Sequence, residues 1–135
     1  MKFNALGVAG IVVAMHAVPA VAHHSFAMFD RGKTMTLQGI VKEFHWTNPH
    51  SWIFVAVPDA GGQSTQWAIE LGSPSGLVRR GWTPKSIAPG MNVKMIIHPL
   101  RDGKPGGQFL NVTLPDGTQL GDPSASEPPA GGERY

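Results

Sequence analysis

Six histidines, six methionines and no cysteine set the chemistry open to this chain. Any metal site must therefore use imidazole, thioether, carboxylate or backbone nitrogen. Two of the histidines, His23 and His24, follow Ala20-Val21-Ala22 directly. If the chain is cut after Ala22, His23 becomes the first residue, and its α-amine and ring Nδ1 can close a chelate on one ion. An α-amine has a pKa of about 7.7–8.0, so a metal can displace its proton near neutral pH. One further imidazole would complete a T-shaped, three-nitrogen site, a histidine brace. All-nitrogen tetragonal coordination suits Cu(II), which also leads the Irving–Williams order. Other processing points the same way. A cut after Ala20 puts His23 at position three, and a cut after Ala22 puts His24 at position two; both arrangements chelate Cu(II) through amine, amide and imidazole nitrogens. Short flexible peptides do the same without any evolved role.

The third nitrogen has three candidate sources. His50 follows the Asn48-Pro49 turn, where a loop can aim a side chain. His98 ends an apolar run before Pro99, and His45 lies between Phe44 and Trp46. The metal candidates are thus His23, His24, His50 and His98, with Glu70 and Asn48 as residues that could orient an imidazole. His45 reads instead as a solvated or hydrogen-bonded strand residue. Met28, Met91 and Met95 could serve Cu(I), but methionines of this kind commonly fill cores. Trp46, Trp52 and Trp67 read as packed aromatics; Trp82, next to Gly81, reads as either a packed aromatic or, with Arg79, Arg80 and Arg101, a candidate for a surface that binds a non-metal ligand or a protein. No Gly-x-Ser-x-Gly elbow, His-Glu-x-x-His helix or phosphate loop occurs, so catalysis has the least support.

The N-terminus carries the grammar of an export signal. Lys2 supplies positive charge, Ala5–Val18 is an apolar stretch, and Pro19 precedes the small residues of the cut site. The stretch is shorter than the ~20 residues that span a bilayer. Residues 1–22 are therefore expected to be a cleaved signal peptide, which places the mature protein in the periplasm or outside the cell with no transmembrane segment. Its removal leaves 113 of the 135 residues, enough for one domain, with ten Lys and Arg against nine Asp and Glu. That near-neutral balance shows no basic patch for nucleic acid.

The elements that must position these residues are mainly strands. Alternating apolar patterns predict strands at Thr34–Trp46, Ser51–Val57, Thr65–Leu71, Met91–His98 and Gln108–Leu114, with Gly39 as a bulge or bend. Ser73, Pro74 and Gly81 bracket one short helix. Five strands with a short helix between the third and fourth predict an all-β fold, a small five-stranded OB-like barrel, with an open sandwich as the alternative. Residues 23–33 form a lead-in, 34–121 the barrel, and the Pro/Ser/Gly-rich 122–135 a disordered tail.

The run His23-His24-Ser25-Phe26-Ala27-Met28-Phe29-Asp30, the turn Trp46-Thr47-Asn48-Pro49-His50, Ile69-Glu70, Leu77-Val78-Arg79-Arg80-Gly81-Trp82 and Pro89-Gly90 resemble a family of small exported bacterial proteins catalogued as domain of unknown function 6152. The resemblance covers roughly residues 23–120. It implies a small β-rich domain of the Gram-negative periplasm and supplies no activity.

Overall fold

The structure is a computed structural model, and it describes residues 26–125. The expected signal segment, His23 and His24 lie outside the described residues, as do positions 126–135 of the expected tail. Five strands form the barrel: β1 (Met35–His45), β2 (Trp52–Pro58), β3 (Ser64–Glu70), β4 (Asn92–Pro99) and β5 (Gly106–Thr113). A sixth strand, β6 (Gln119–Gly121), extends the sheet beyond β5. The order β3-β2-β1-β4-β5 is antiparallel throughout, and a parallel pairing of Ala68, Ile69 and Glu70 with Gly106, Gly107 and Gln108 joins β3 to β5 and closes the barrel. Closure removes the open sandwich from consideration.

Alternation builds the interior. Leu37 and Val41 of β1, Ile53, Val55 and Val57 of β2, and Trp67 and Ile69 of β3 point inward with Val93, Met95, Ile97 and Val112. Met35 and Met95 are core residues. Trp67 is buried, Trp46 packs partly buried against the core, and Trp52 is half-buried.

Gly39 is not the bulge. The register between β1 and β2 shifts between Val41 and Glu43. Gly39 is instead a point of close approach, because a Cβ there would lie 2.3 Å from the Ala56 carbonyl oxygen. The loop expected at Arg101–Gly107 is shorter, since Gly106 and Gly107 already belong to β5.

The helix α1 (Pro74–Val78) is capped as its residues require. Ser73 Oγ accepts from the Gly76 N–H at 3.3 Å, and Pro74 opens the helix, where its missing N–H has no role to fill. At the far end, Gly81 adopts φ +84°. Gly81 N–H donates to the Val78 carbonyl (3.0 Å) and Trp82 N–H to that of Leu77 (3.1 Å), the paired bonds of a Schellman turn. Leu77, Trp82 and Ile87 from this connection join the barrel core.

Two segments flank the barrel. A 3-10 turn at Phe26–Met28 leads into Phe29, which is buried and bridges to Leu100. At the other end, Asp122–Ala125, expected as tail, form a turn: Asp122 N–H donates to Leu110 carbonyl (2.8 Å), and Asp122 Oδ1 accepts from the Ser124 hydroxyl and N–H. Those donors hold the Asp122 carboxyl below its ordinary value, with a smaller contribution from the Arg80 charge. No helix among the described residues is long and apolar enough to cross a membrane.

Candidate functional site

Antiparallel pairing of Trp52 with Glu70 carries on past the end of β2, where Ser51 N–H donates to the Gly72 carbonyl and Leu71 N–H to that of Ser51. This ladder puts His50 on the same face as Glu70, one diagonal step away. The two side chains meet: His50 Nδ1 hydrogen-bonds Glu70 Oε1. The Glu70 side chain is 6% exposed and that of His50 is 33% exposed. An ionised carboxylate can only accept, so the contact assigns the ring proton to Nδ1. With Glu70 as the acceptor, the lone pair of a neutral imidazole falls on Nε2. Thr47, rather than Asn48, ties the turn, with its hydroxyl donating to the His50 carbonyl at 3.0 Å. Asn48 is exposed, next to a cis peptide with Pro49.

His98 goes elsewhere. Its Nδ1 donates to the Lys33 carbonyl at 2.7 Å, so the ring anchors the lead-in on β4. Gln108 pairs with both Glu70 and His98, which sets those two about two strand spacings, ~10 Å, apart. His45 pairs with Glu43 (2.6 Å) and packs edge-on against Phe54 at 4.9 Å. Among the described residues no three His, Asp or Glu side chains converge as a ready-made metal cage.

Trp82 requires a correction. Expected on the surface, it is 1% exposed, with its indole 5.4 Å from the Phe109 ring and 6.2 Å from Phe44. The reason is the left-handed turn at Gly81, which reverses the chain after α1 and drops the next side chain inward. Arg79 and Arg80 are exposed. Arg101 holds the lead-in: its Nε donates to the Ala27 carbonyl at 2.9 Å, and its guanidinium lies 3.9 Å from Asp30.

Beside the His50–Glu70 pair lies a cleft of about 230 Å³ that Leu77, Arg80, Trp82, Gln108 and Phe109 also line. Strand pattern alone did not reveal it, because its wall combines the helix end, β3 and β5. Two of these residues also carry a buried polar atom without a hydrogen-bond partner, Trp82 Nε1 and Gln108 Oε1. Left dry, each such atom would cost about 1–3 kcal/mol.

Comparison with known proteins gives three findings. The model of a family of unknown function (DUF6152) matches residues 10–109. No curated protein matches the chain. Among solved structures, the mitochondrial single-stranded DNA-binding protein Rim1 of S. cerevisiae is similar with a TM-score of 0.47 and 14% identity, over 61% of this chain and 92% of that one.

Proposed function

The chain belongs to the family of unknown function DUF6152, and, since that membership brings no activity with it, we propose from the residues themselves that the mature protein is an exported, periplasmic copper-binding domain, a carrier or scavenger. The observation that supports this reading is the His50–Glu70 contact. A carboxylate that accepts a hydrogen bond from the Nδ1–H of an imidazole is a common partner of a metal-binding histidine. It fixes the tautomer, orients the ring and raises the basicity of the free nitrogen.

His50 Nε2 would supply one nitrogen, and the α-amine and Nδ1 of His23 the other two. Arg101 holds Ala27 through the bond from its Nε to the Ala27 carbonyl. Four residues back from Ala27 to His23 span up to about 13–14 Å when extended. Copper bound there would be redox-active; the chain's own part is to hold one imidazole fixed and to leave the amine to be unmasked by processing.

The test is copper titration of protein beginning at His23, of the same protein with one extra N-terminal residue, and of His50→Ala. The reading expects both changes to weaken binding at least tenfold. Equal affinity for all three would end it.

A further inference from the structure

The charges of this chain are unevenly placed. The described residues include nine Lys and Arg and seven Asp and Glu. Four of these cations, Arg31, Lys33, Arg101 and Lys104, lie on the lead-in and on the loop between β4 and β5, together with two of the acids, Asp30 and Asp102. The five cations and five acids elsewhere cancel, so the net charge of the described residues belongs to these two segments. Composition hides this, because Lys33 and Arg101 are far apart in the chain.

Backbone bonds join the two segments into one surface. Arg101 N–H donates to the Met28 carbonyl (2.9 Å) and Asp30 N–H to the Pro99 carbonyl (2.8 Å), with Phe29 bridging to Leu100 between them. The Asp30 carboxylate then sits 3.8 Å from Lys33 Nζ and 3.9 Å from Arg101 Nη1, one negative charge between two positive ones. Lys104 Nζ lies 3.0 Å from the Asp102 carboxylate. The cations reach into water, at 75% exposure for Lys33, 76% for Lys104 and 58% for Arg101, whereas Asp30 is only 25% exposed. Long exposed cations over a sunken carboxylate direct a positive field outward. Met28, on the same segment, is an exposed apolar side chain.

We propose that this surface docks on an anionic phospholipid bilayer. Each Lys or Arg close to such a surface raises partition roughly fivefold, so four cations against two acids give a preference of about 25-fold over neutral lipid at low salt. Met28 can enter the headgroup region, a contact that a lipid surface offers and a soluble polyanion does not. The chain also enters the described residues here, at Phe26, downstream of the apolar run Ala5–Val18. A leader held in a bilayer would bring this surface against the headgroups first. The proposal does not rest on the copper reading, because none of these side chains is a proposed copper ligand.

The experiment uses metal-free protein beginning at His23, with vesicles of phosphatidylcholine alone or with about one-third phosphatidylglycerol, read by co-sedimentation across a salt series. Wild type should bind the anionic vesicles at least tenfold better than the neutral ones, and the binding should fall as salt rises. Lys33→Gln/Lys104→Gln should lose at least tenfold in partition while melting with wild type. Lys42→Gln/Lys85→Gln removes the same charge from the irregular stretch of β1 and from the connection after α1, and should lose less than about threefold. Met28→Ser should weaken vesicle binding and leave any binding to soluble polyglutamate unchanged. The proposal fails if wild type ignores the anionic vesicles. It fails if the two double variants lose equally, which would mean that net charge alone decides. It fails too if polyglutamate binds as tightly as the vesicles, which would make the partner an acidic chain. None of these outcomes alters the copper titration, which needs no lipid.

Discussion

Replacing either member of the His50–Glu70 pair should weaken copper binding, but only the loss of His50 should cost much stability. His50→Ala leaves the Glu70 carboxylate, 6% exposed, without its partner. Removing one half of a fully buried ion pair costs about 3–5 kcal/mol, but the imidazole is 33% exposed and water can take part of its place. A loss of about 1–3 kcal/mol is expected, roughly 4 °C or more in Tm for each kcal/mol in a domain of this size. Glu70→Gln keeps the shape and an oxygen that can accept from Nδ1, and it removes a buried charge. Its stability should stay within about 1 kcal/mol of wild type, while copper affinity falls about 10–100-fold through the loss of ring basicity. The double variant His50→Ala/Glu70→Gln should recover much of the loss seen in His50→Ala, because a buried amide costs less than a buried unpaired carboxylate. The assays are thermal melting and copper competition on the same samples. If Glu70→Gln melts far below wild type yet binds copper equally well, the pair serves the fold alone and the assignment of His50 as a ligand is refuted.

Other outcomes follow from the packing. Gly39→Ala would place a methyl 2.3 Å from the Ala56 carbonyl oxygen and 2.9 Å from Val55 Cγ1, so β1 must part from β2; the urea midpoint should fall by the equivalent of at least ~1–3 kcal/mol with an unchanged m-value. Trp82→Ala should cost about 3–5 kcal/mol in thermal or urea unfolding, as truncation of a core aromatic does and removal of a surface one does not. Arg101→Ala removes the guanidinium's contacts with the Ala27 carbonyl and Asp30, so hydrogen exchange at the Asp30 amide, which donates to the Pro99 carbonyl, should accelerate while global stability changes by less than about 1 kcal/mol.

Much of the barrel could be read from the chain because its strands alternate. Trp67 and Ile69 against Ala68 and Gln66, or Val93, Met95 and Ile97, mark one inward face without any tertiary knowledge. The Ser73 cap and the Gly81 stop are likewise local signals with local causes. What escaped depends on contacts distant in sequence. Gln119–Gly121 is too short to show a period, and it is a strand only because β5 offers an edge. Gly39 looks like any strand glycine until the Ala56 carbonyl is brought against it. Trp82 follows a turn whose left-handed geometry, not its composition, decides whether the ring faces water or the core. The meeting of His50 with Glu70 was only half legible. A carboxylate next to Ile69 was a reasonable partner for an imidazole, but which imidazole depended on the β2–β3 register. His98, equally plausible in sequence, is taken by the Lys33 carbonyl. The two unpartnered buried atoms, Trp82 Nε1 and Gln108 Oε1, have no sequence signature at all.

The central claim, that export unmasks a copper-binding N-terminus, is tested most directly by one preparation. Protein exported by its own leader and purified without a tag is weighed intact, and copper is measured on the same sample. The account predicts a mass that begins at His23 and close to one copper per chain, lost when His50 is replaced by alanine. A chain that begins elsewhere, or one that begins at His23 and takes up no copper under copper-replete conditions, would contradict it.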